Sequence, residues 1–335
     1  MSGLIRSASL THYADVARGV GLDPGRMLRE FGLPPHCLED PELKIPLDAV
    51  RELLEVSAER SDTEAFGLLV AEARRLSNLG PLGLLIREQP TLRLAIDAFV
   101  HYGRQLNEAL WLTVEETSNV VILREELVAG RASSVRQSTE LAIGVAFRML
   151  RNFLGPGWRP KRVCFAHEAP ARRAVHERVF GPDVEFGHDF NGIVCARGDL
   201  EVLNPNADPE MARLARRMLE AEPTEAPDAA AEVRDLVVML LGTGDCTIDR
   251  AAQHLGVDRR TIHRRLQSNG KTFSDIVDAV RREFAQRYLK DRNRSLAEVA
   301  SLLGFSAPSG FSRWYRHQFG ATPSQQRGRS GVRGG

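Results

Sequence analysis

No run of about 18 apolar residues occurs anywhere in the 335-residue chain, so a membrane-spanning helix is excluded. The start, Met1-Ser2-Gly3-Leu4-Ile5-Arg6, lacks the basic-then-apolar pattern of a secretory signal, and the expected compartment is the cytoplasm. Cysteine is scarce. Cys37, Cys164, Cys195 and Cys246 lie far apart with no C-x-x-C pair, which argues against a zinc ribbon or a disulfide framework. Catalytic signatures are missing too. His167-Glu168 and His176-Glu177 do not have the H-E-x-x-H spacing that puts two ligands on one helix face. Gly242-Thr243-Gly244-Asp245 has neither the lysine of a phosphate loop nor the third glycine of a dinucleotide fingerprint. No enzyme activity, cofactor or metal is therefore expected. Cys164 and Cys195 sit in apolar, strand-like runs and read as inert core.

What is present is a charge asymmetry. The net charge is only +1, yet Cys246 to Gly335 carries 17 Lys+Arg against 7 Asp+Glu, a net of +10. Residues 1–245 hold 28 basic and 37 acidic side chains, a net of −9. A basic tail on an acidic body points to a nucleic-acid partner for the tail. Between the halves, Glu220 to Glu232 (EAEPTEAPDAAAE) has no bulky apolar residue and reads as a linker. The expected division is 1–219, linker 220–232, 233–328, and a flexible tail at 329–335. The second domain opens with a helix carrying Val233, Leu236, Val237, Leu240 and Leu241 on one face.

The tail contains a repeat. Thr247-Ile248 followed by Ala251-Ala252-Gln253-His254-Leu255-Gly256-Val257-Asp258 has a counterpart 48 residues on, Ser295-Leu296 followed by Val299-Ala300-Ser301-Leu302-Leu303-Gly304-Phe305-Ser306. Each copy opens with a hydroxyl able to cap a helix and spaces its apolar residues for one buried stripe. Each closes on Leu-Gly, where glycine ends the helix, and Asp258 and Ser306 are placed to cap a second helix. Helix, glycine turn, capped helix is the helix-turn-helix pattern.

Sorted at 100° per residue, the second helix of the first copy turns Ile262 and Leu266 inward and Arg260, His263, Arg264 and Gln267 outward. Those outward side chains offer the donors that read guanine and adenine edges in the major groove, while the flanking Arg259 and Arg265 suit phosphates. In the second copy Phe311, Trp314, Tyr315 and Phe319 share the inward arc. Ser309, Arg313, Arg316 and His317 point out, with Arg313 the best base contact and Arg316 and His317 assigned to phosphates. Between the copies, Thr272 to Lys290 reads as one helix, capped by Thr272 and striped with Phe273, Ile276, Val277, Val280, Phe284 and Tyr288. Its 19 residues would span roughly 28 Å, near the ~34 Å between successive major-groove faces of a duplex.

This tail resembles the DNA-binding domain of the AraC/XylS family of bacterial transcription regulators over about residues 233–328. The most specific piece runs Ala300 to Ser306, then Phe311-Ser312-Arg313-Trp314-Tyr315-Arg316, then Phe319-Gly320-Ala321-Thr322-Pro323-Ser324 and Arg327. The resemblance implies seven helices and base contacts from both recognition helices, which by position fall on Arg260, His263 and Arg264 and on Pro308, Ser309 and Arg313. Gln326 stands where the family usually has tyrosine, and Gly310 replaces a bulkier residue.

The acidic body reads as α+β. Helical stretches fall at 46–60, 64–76, 91–109, 133–153 and 208–219, and strand-like runs at Leu110–Val114, Val120–Arg124, Arg162–Phe165, Val184–Phe186 and Ile193–Cys195. Ala14 to Leu33 imitates a helix-turn-helix around Gly19–Gly21, but its acidic surroundings favour packing. With Gly80-Pro81-Leu82-Gly83, Thr91 to Ala95 and the Arg173–Pro205 segment, the body is similar to the arabinose-binding-like effector domain of some AraC-type regulators. That resemblance implies a small-molecule effector of unspecified chemistry. The expected whole is an α+β sensor domain followed by an all-α domain of two helix-turn-helix units joined by a long helix. Its partners would be double-stranded promoter DNA, an effector, RNA polymerase if it activates, and a second copy if it dimerises. The competing readings are a ligand-independent DNA binder and an enzyme fused to a helix-turn-helix domain.

Overall fold

The structure, a computed structural model, describes residues 4–107, 110–127, 135–221, 229–241, 246–255, 257–268, 270–289 and 295–329. The chain divides into two compact units, Met1–Glu222 and Pro223–Gly335.

The first unit opens with a ribbon of two three-residue strands, β1 (Leu4–Arg6) and β2 (Lys44–Pro46), antiparallel with Ile5 opposite Ile45. Between them lie α1 (Tyr13–Gly19) and α2 (Pro24–Glu30), the segment that imitates a helix-turn-helix. Tyr13, Ala17, Met27 and Leu28 are all buried, so this pair belongs to the core of the unit. There follow α3 (Leu47–Arg60), α4 (Phe66–Ala73), α5 (Pro81–Arg87) and α6 (Leu92–Leu106). Thr91 caps α6 by accepting from the Leu94 N–H at 3.3 Å.

The sheet is built from β3 (Leu110–Glu116), β4 (Val120–Leu127), β5 (Arg162–Phe165), β6 (Val184–Phe186) and β7 (Asn191–Ala196), in spatial order β3-β4-β7-β5-β6. Among the described strands only the β5–β6 pair is parallel, and α8 (Ala174–Phe180) makes that crossover. One face of the sheet, carrying Val121, Leu123, Val163, Phe165, Ile193 and Cys195, is buried in the core. The 19-residue α7 (Arg136–Leu154) packs on β4, β7 and α4. The crossing with α4 is close: a Cβ on Gly144 would stand 2.5 Å from the Cβ of Ala71. A 13-residue helix, α9 (Pro209–Ala221), packs on α5 and ends the unit. The class is α+β, as the alternation of periods predicts, and every strand-like run lies on an observed strand.

The second unit is helical: α10 (Ala229–Leu241), α11 (Ile248–His254), α12 (Arg259–Gln267), α13 (Phe273–Tyr288), α14 (Leu296–Leu302), α15 (Pro308–Phe319) and α16 (Pro323–Arg329). These are the seven helices that the resemblance implies, counted among the described residues. Residues 229–232, placed in the linker by composition, form the first turn of α10, because three consecutive alanines favour helix over coil. At the other end of that stretch α9 runs through Ala221, and 222–228 lie outside the described residues.

Candidate nucleic-acid interface

The first helix-turn-helix is assembled by caps. Thr247 accepts from the Arg250 N–H at 3.2 Å and starts α11. The Val257 N–H returns to the Ala252 carbonyl at 3.1 Å and closes the turn. Asp258 then accepts from the Thr261 N–H at 2.6 Å and starts α12. That bond holds the Asp258 carboxyl below its ordinary range. Ile262 and Leu266 are 1% and 0% exposed, and burial of two such side chains stabilises the docking of α12 by about 1.5–3 kcal/mol each. Arg259, Arg260, His263, Arg264, Arg265 and Gln267 are all exposed. Arg259 Nη1 lies 3.7 Å from Asp249 Oδ2 on α11, which ties it to the flank of the motif. Among the described residues, Arg260, His263, Arg264 and Gln267 make no side-chain hydrogen bond or ion pair, so their donors face solvent.

The second unit uses a different start. Ser295 and Glu298 form a reciprocal capping box at α14, with Glu298 N–H to Ser295 Oγ at 3.1 Å and Ser295 N–H to Glu298 Oε2 at 2.6 Å. Ser306 does not cap the recognition helix. The cap position of α15 is Ala307, with no side-chain bond, because Pro308 at the first helical position holds Ala307 extended. Phe311 and Tyr315 are buried while Trp314 and Phe319 are half-buried, so the aromatic stripe is packing. Pro308, Ser309, Arg313, Arg316 and His317 are exposed. Gly310 leaves an ordinary gap: a Cβ there would stand 3.7 Å from the Phe305 ring.

The connecting helix is shorter than its sequence pattern suggests. Residues Phe273–Tyr288 are 16 in number, about 24 Å of helix rather than roughly 28 Å. Thr272 stands outside as a cap, exchanging bonds with Asp275, and Lys290 lies outside the described residues. Helix α13 carries three polar ties to the second motif. Trp314 Nε1–H donates to Asp278 Oδ1 at 2.9 Å, and Arg282 Nη1 donates to Gln318 Oε1 at 2.8 Å. Arg281 Nε donates to the Leu303 carbonyl at 3.0 Å, with its guanidinium 4.3 Å over the Phe305 ring. The turn glycine is obligatory, since Gly304 has φ +70° and a Cβ would stand 2.6 Å from the Leu241 carbonyl oxygen. Sequence periodicity gave no signal for Arg281, Asp278 or Arg282, which lie on the polar side of α13.

Elsewhere, Cys164 and Cys195 are buried, and burial pushes their thiols up to about 11 and about 12. Cys164, Glu185 and His188 offer ligand atoms within 4.8 Å of one another. Glu185 is engaged by Arg162 at 3.0 Å, and a thiol that holds its proton is a poor metal ligand. His167 and His176, far from any metal pattern, converge instead on the buried Glu140, at 3.4 and 3.1 Å, where Arg136 Nε also donates at 2.9 Å. No described helix is long and apolar enough to cross a membrane.

Two helix-turn-helix motifs with donor-rich outward faces, joined to a separate α+β domain, define a DNA-binding transcription regulator with an effector-type domain. The family model described as the arabinose-binding domain of AraC transcription regulators matches residues 21–202, and a helix-turn-helix domain model matches 251–329. The HTH-type transcriptional regulator VirS of Mycobacterium tuberculosis is 33% identical over 339 residues, covering 100% of this chain and 99% of that protein. The ornithine utilization regulator of Pseudomonas aeruginosa is 27% identical, covering 88% of this chain and 87% of that one. Among solved structures, the transcriptional regulator CdpR of Pseudomonas aeruginosa aligns with a TM-score of 0.45 at 21% identity, over 92% of this chain and 96% of that chain. The chain belongs to the AraC family of transcription regulators.

Proposed function

We propose that α12 is the principal base-reading helix and that α15 chiefly positions the protein on the duplex. Arg260, His263, Arg264 and Gln267 read base edges in one major groove, with Arg259 and Arg265 on flanking phosphates. In the second groove Arg313 is the main base contact, Pro308 and Ser309 approach the bases, and Arg316 and His317 hold phosphates. The observation that carries this division is the outward face of α12, four donor-bearing side chains without an intramolecular partner among the described residues, against the proline, serine and glycine that open α15.

The acidic unit binds a small molecule and shifts the population of DNA-competent arrangements, which requires different affinities in the two states. The protein acts in the bacterial cytoplasm on double-stranded promoter DNA, as a homodimer where its sites are paired, and touches RNA polymerase where it activates. The unit matched to the effector-domain family favours this over a constitutive binder, and the absence of a catalytic motif in the sequence disfavours a fused enzyme.

Paired alanine variants test the division. Arg264→Ala lowers affinity for the specific site by about 1–3 kcal/mol and relaxes preference at one base pair. Arg265→Ala weakens specific and random DNA alike and reduces the salt slope by about one. Equal loss on both DNAs for Arg264→Ala, or a base-specific loss for Arg265→Ala, contradicts the assignment.

A further inference from the structure

A cavity of about 90 Å³, open to solvent on one side, lies wholly inside the first unit, between the β1 ribbon, α3, α6, α7 and the edge strand β3. Its walls are mostly apolar: Val50 and Leu54 from α3, Phe99 from α6, Leu112 from β3, Leu141 and Val145 from α7. Three arginines break the apolar lining, Arg6, Arg51 and Arg74, each under a tenth exposed. Two have acidic company. Arg6 pairs with Glu42, and Arg51 Nη1 stands 3.9 Å from Asp48 Oδ1 with the charge of Glu125 also acting on it.

Arg74 differs. It follows the C-terminus of α4 and reaches the wall formed by Ala8 and Ser9, donating from Nη2 to the Ala8 carbonyl at 2.8 Å and from Nη1 to the Ser9 carbonyl at 3.1 Å. Its Nε is buried without an acceptor, and no carboxylate pairs with it among the described residues. Burial alone pushes the guanidinium down to about 10, so it remains a cation at neutral pH. Two neutral carbonyls do not compensate a charge taken out of water. A bound anion would, and a planar carboxylate matches the donor fork that the carbonyls leave free.

We propose that this cavity is the effector site and that its ligand is an apolar monocarboxylate, an aliphatic or aromatic body against the α3, α6 and α7 walls with its single carboxylate on Arg74. This rests on the reading of the first unit as an effector domain. One uncompensated cation calls for one negative charge, and the apolar walls disfavour a sugar or a polyamine, whose polar groups would lose water without gaining partners.

Calorimetric titration of the full-length protein with butyrate, octanoate, dodecanoate and phenylacetate, each beside its neutral alcohol or amide, tests the proposal. At least one acid binds roughly ten- to a hundredfold tighter than its neutral counterpart. Arg74→Gln removes that difference while the variant still binds DNA. Arg74 also fastens the turn after β1, so a second variant, Ala142→Phe, fills the cavity while keeping the cation, rather than a neutral side chain, at position 74 and abolishes binding of the same acid. Equal binding of acids and neutral analogues, binding unchanged in a folded Arg74→Gln or Ala142→Phe protein, or no binding by any of the acids overturns the proposal. Footprints on the same samples separate it from the regulatory reading. An acid that binds through Arg74 yet leaves the footprint unchanged supports the site and overturns control through it. A footprint altered only by a neutral metabolite supports control and overturns the carboxylate.

Discussion

At the scale of single residues, His167 and Gly304 show how burial and backbone space set measurable outcomes. His167 stands beside Glu140, whose charge favours its protonation, yet burial is the larger effect and lowers its affinity for a proton. The unfolded chain therefore takes up this proton at a higher pH than the folded one. Stability present at neutral pH is lost as pH falls below the ordinary 6.5 and levels off once the folded form is also protonated. Thermal melts from pH 7 to 5 show a falling midpoint, and His167→Gln flattens part of that slope; an unchanged slope contradicts the assignment. The glycines offer an opposed pair. Gly304→Ala costs roughly 1–3 kcal/mol for its left-handed backbone, plus the clash with the Leu241 carbonyl. Gly310→Ala, inside α15 with room for a Cβ, is neutral or stabilising by up to about 1 kcal/mol. Denaturant titration that ranked the two variants the other way would refute the turn geometry.

At the scale of elements, the long helix α13 is a scaffold whose apolar stripe faces the unit's core and whose polar flank fastens the second motif. Of the expected stripe, Ile276, Val277, Val280 and Phe284 are buried, and Ala285 and Leu289 join them. The Trp314–Asp278 bond ties α15 itself to α13. Trp314→Phe keeps an aromatic ring against Phe305 and Phe311 but removes the donor. It should lower stability by about 1 kcal/mol and weaken DNA binding through α15 more than through α12. Protection lost first at the half-site read by α12 contradicts the scaffold role.

Elements of this length were legible in the sequence because period repeats several times within them: α3, α6 and α7 fall on the helical stretches read at 46–60, 91–109 and 133–153, and the inward faces of α12 and α15 lie where spacing puts them. The three-residue strands β1 and β2 carry too little period to read, and they pair 40 residues apart. Ser306 looks like the cap of α15 in the sequence, but Pro308 at the first helical position moves the cap one residue on, to Ala307. The outward-facing side chains of α12 and α15 follow from helix angle alone. The buried Arg74 and the convergence of His167 and His176 on Glu140 do not, since they depend on which distant elements meet.

At the scale of the whole molecule, the charge division of the sequence maps onto two units: an acidic α+β unit with an internal cavity and a basic helical unit with two outward recognition faces. A regulator of this kind works only if ligand in the first unit changes the free energy of DNA engagement by the second, and coupling of this sort is commonly about 1–3 kcal/mol. The measurement that tests this most directly is a footprint of the full-length protein on the DNA upstream of its own and neighbouring genes. It is run at fixed salt with and without a metabolite pool. Two protected major-groove patches about one helical turn apart are expected, with occupancy shifted by the pool. Two patches indifferent to every metabolite would contradict effector control, and no specific protection at all would contradict the regulator itself.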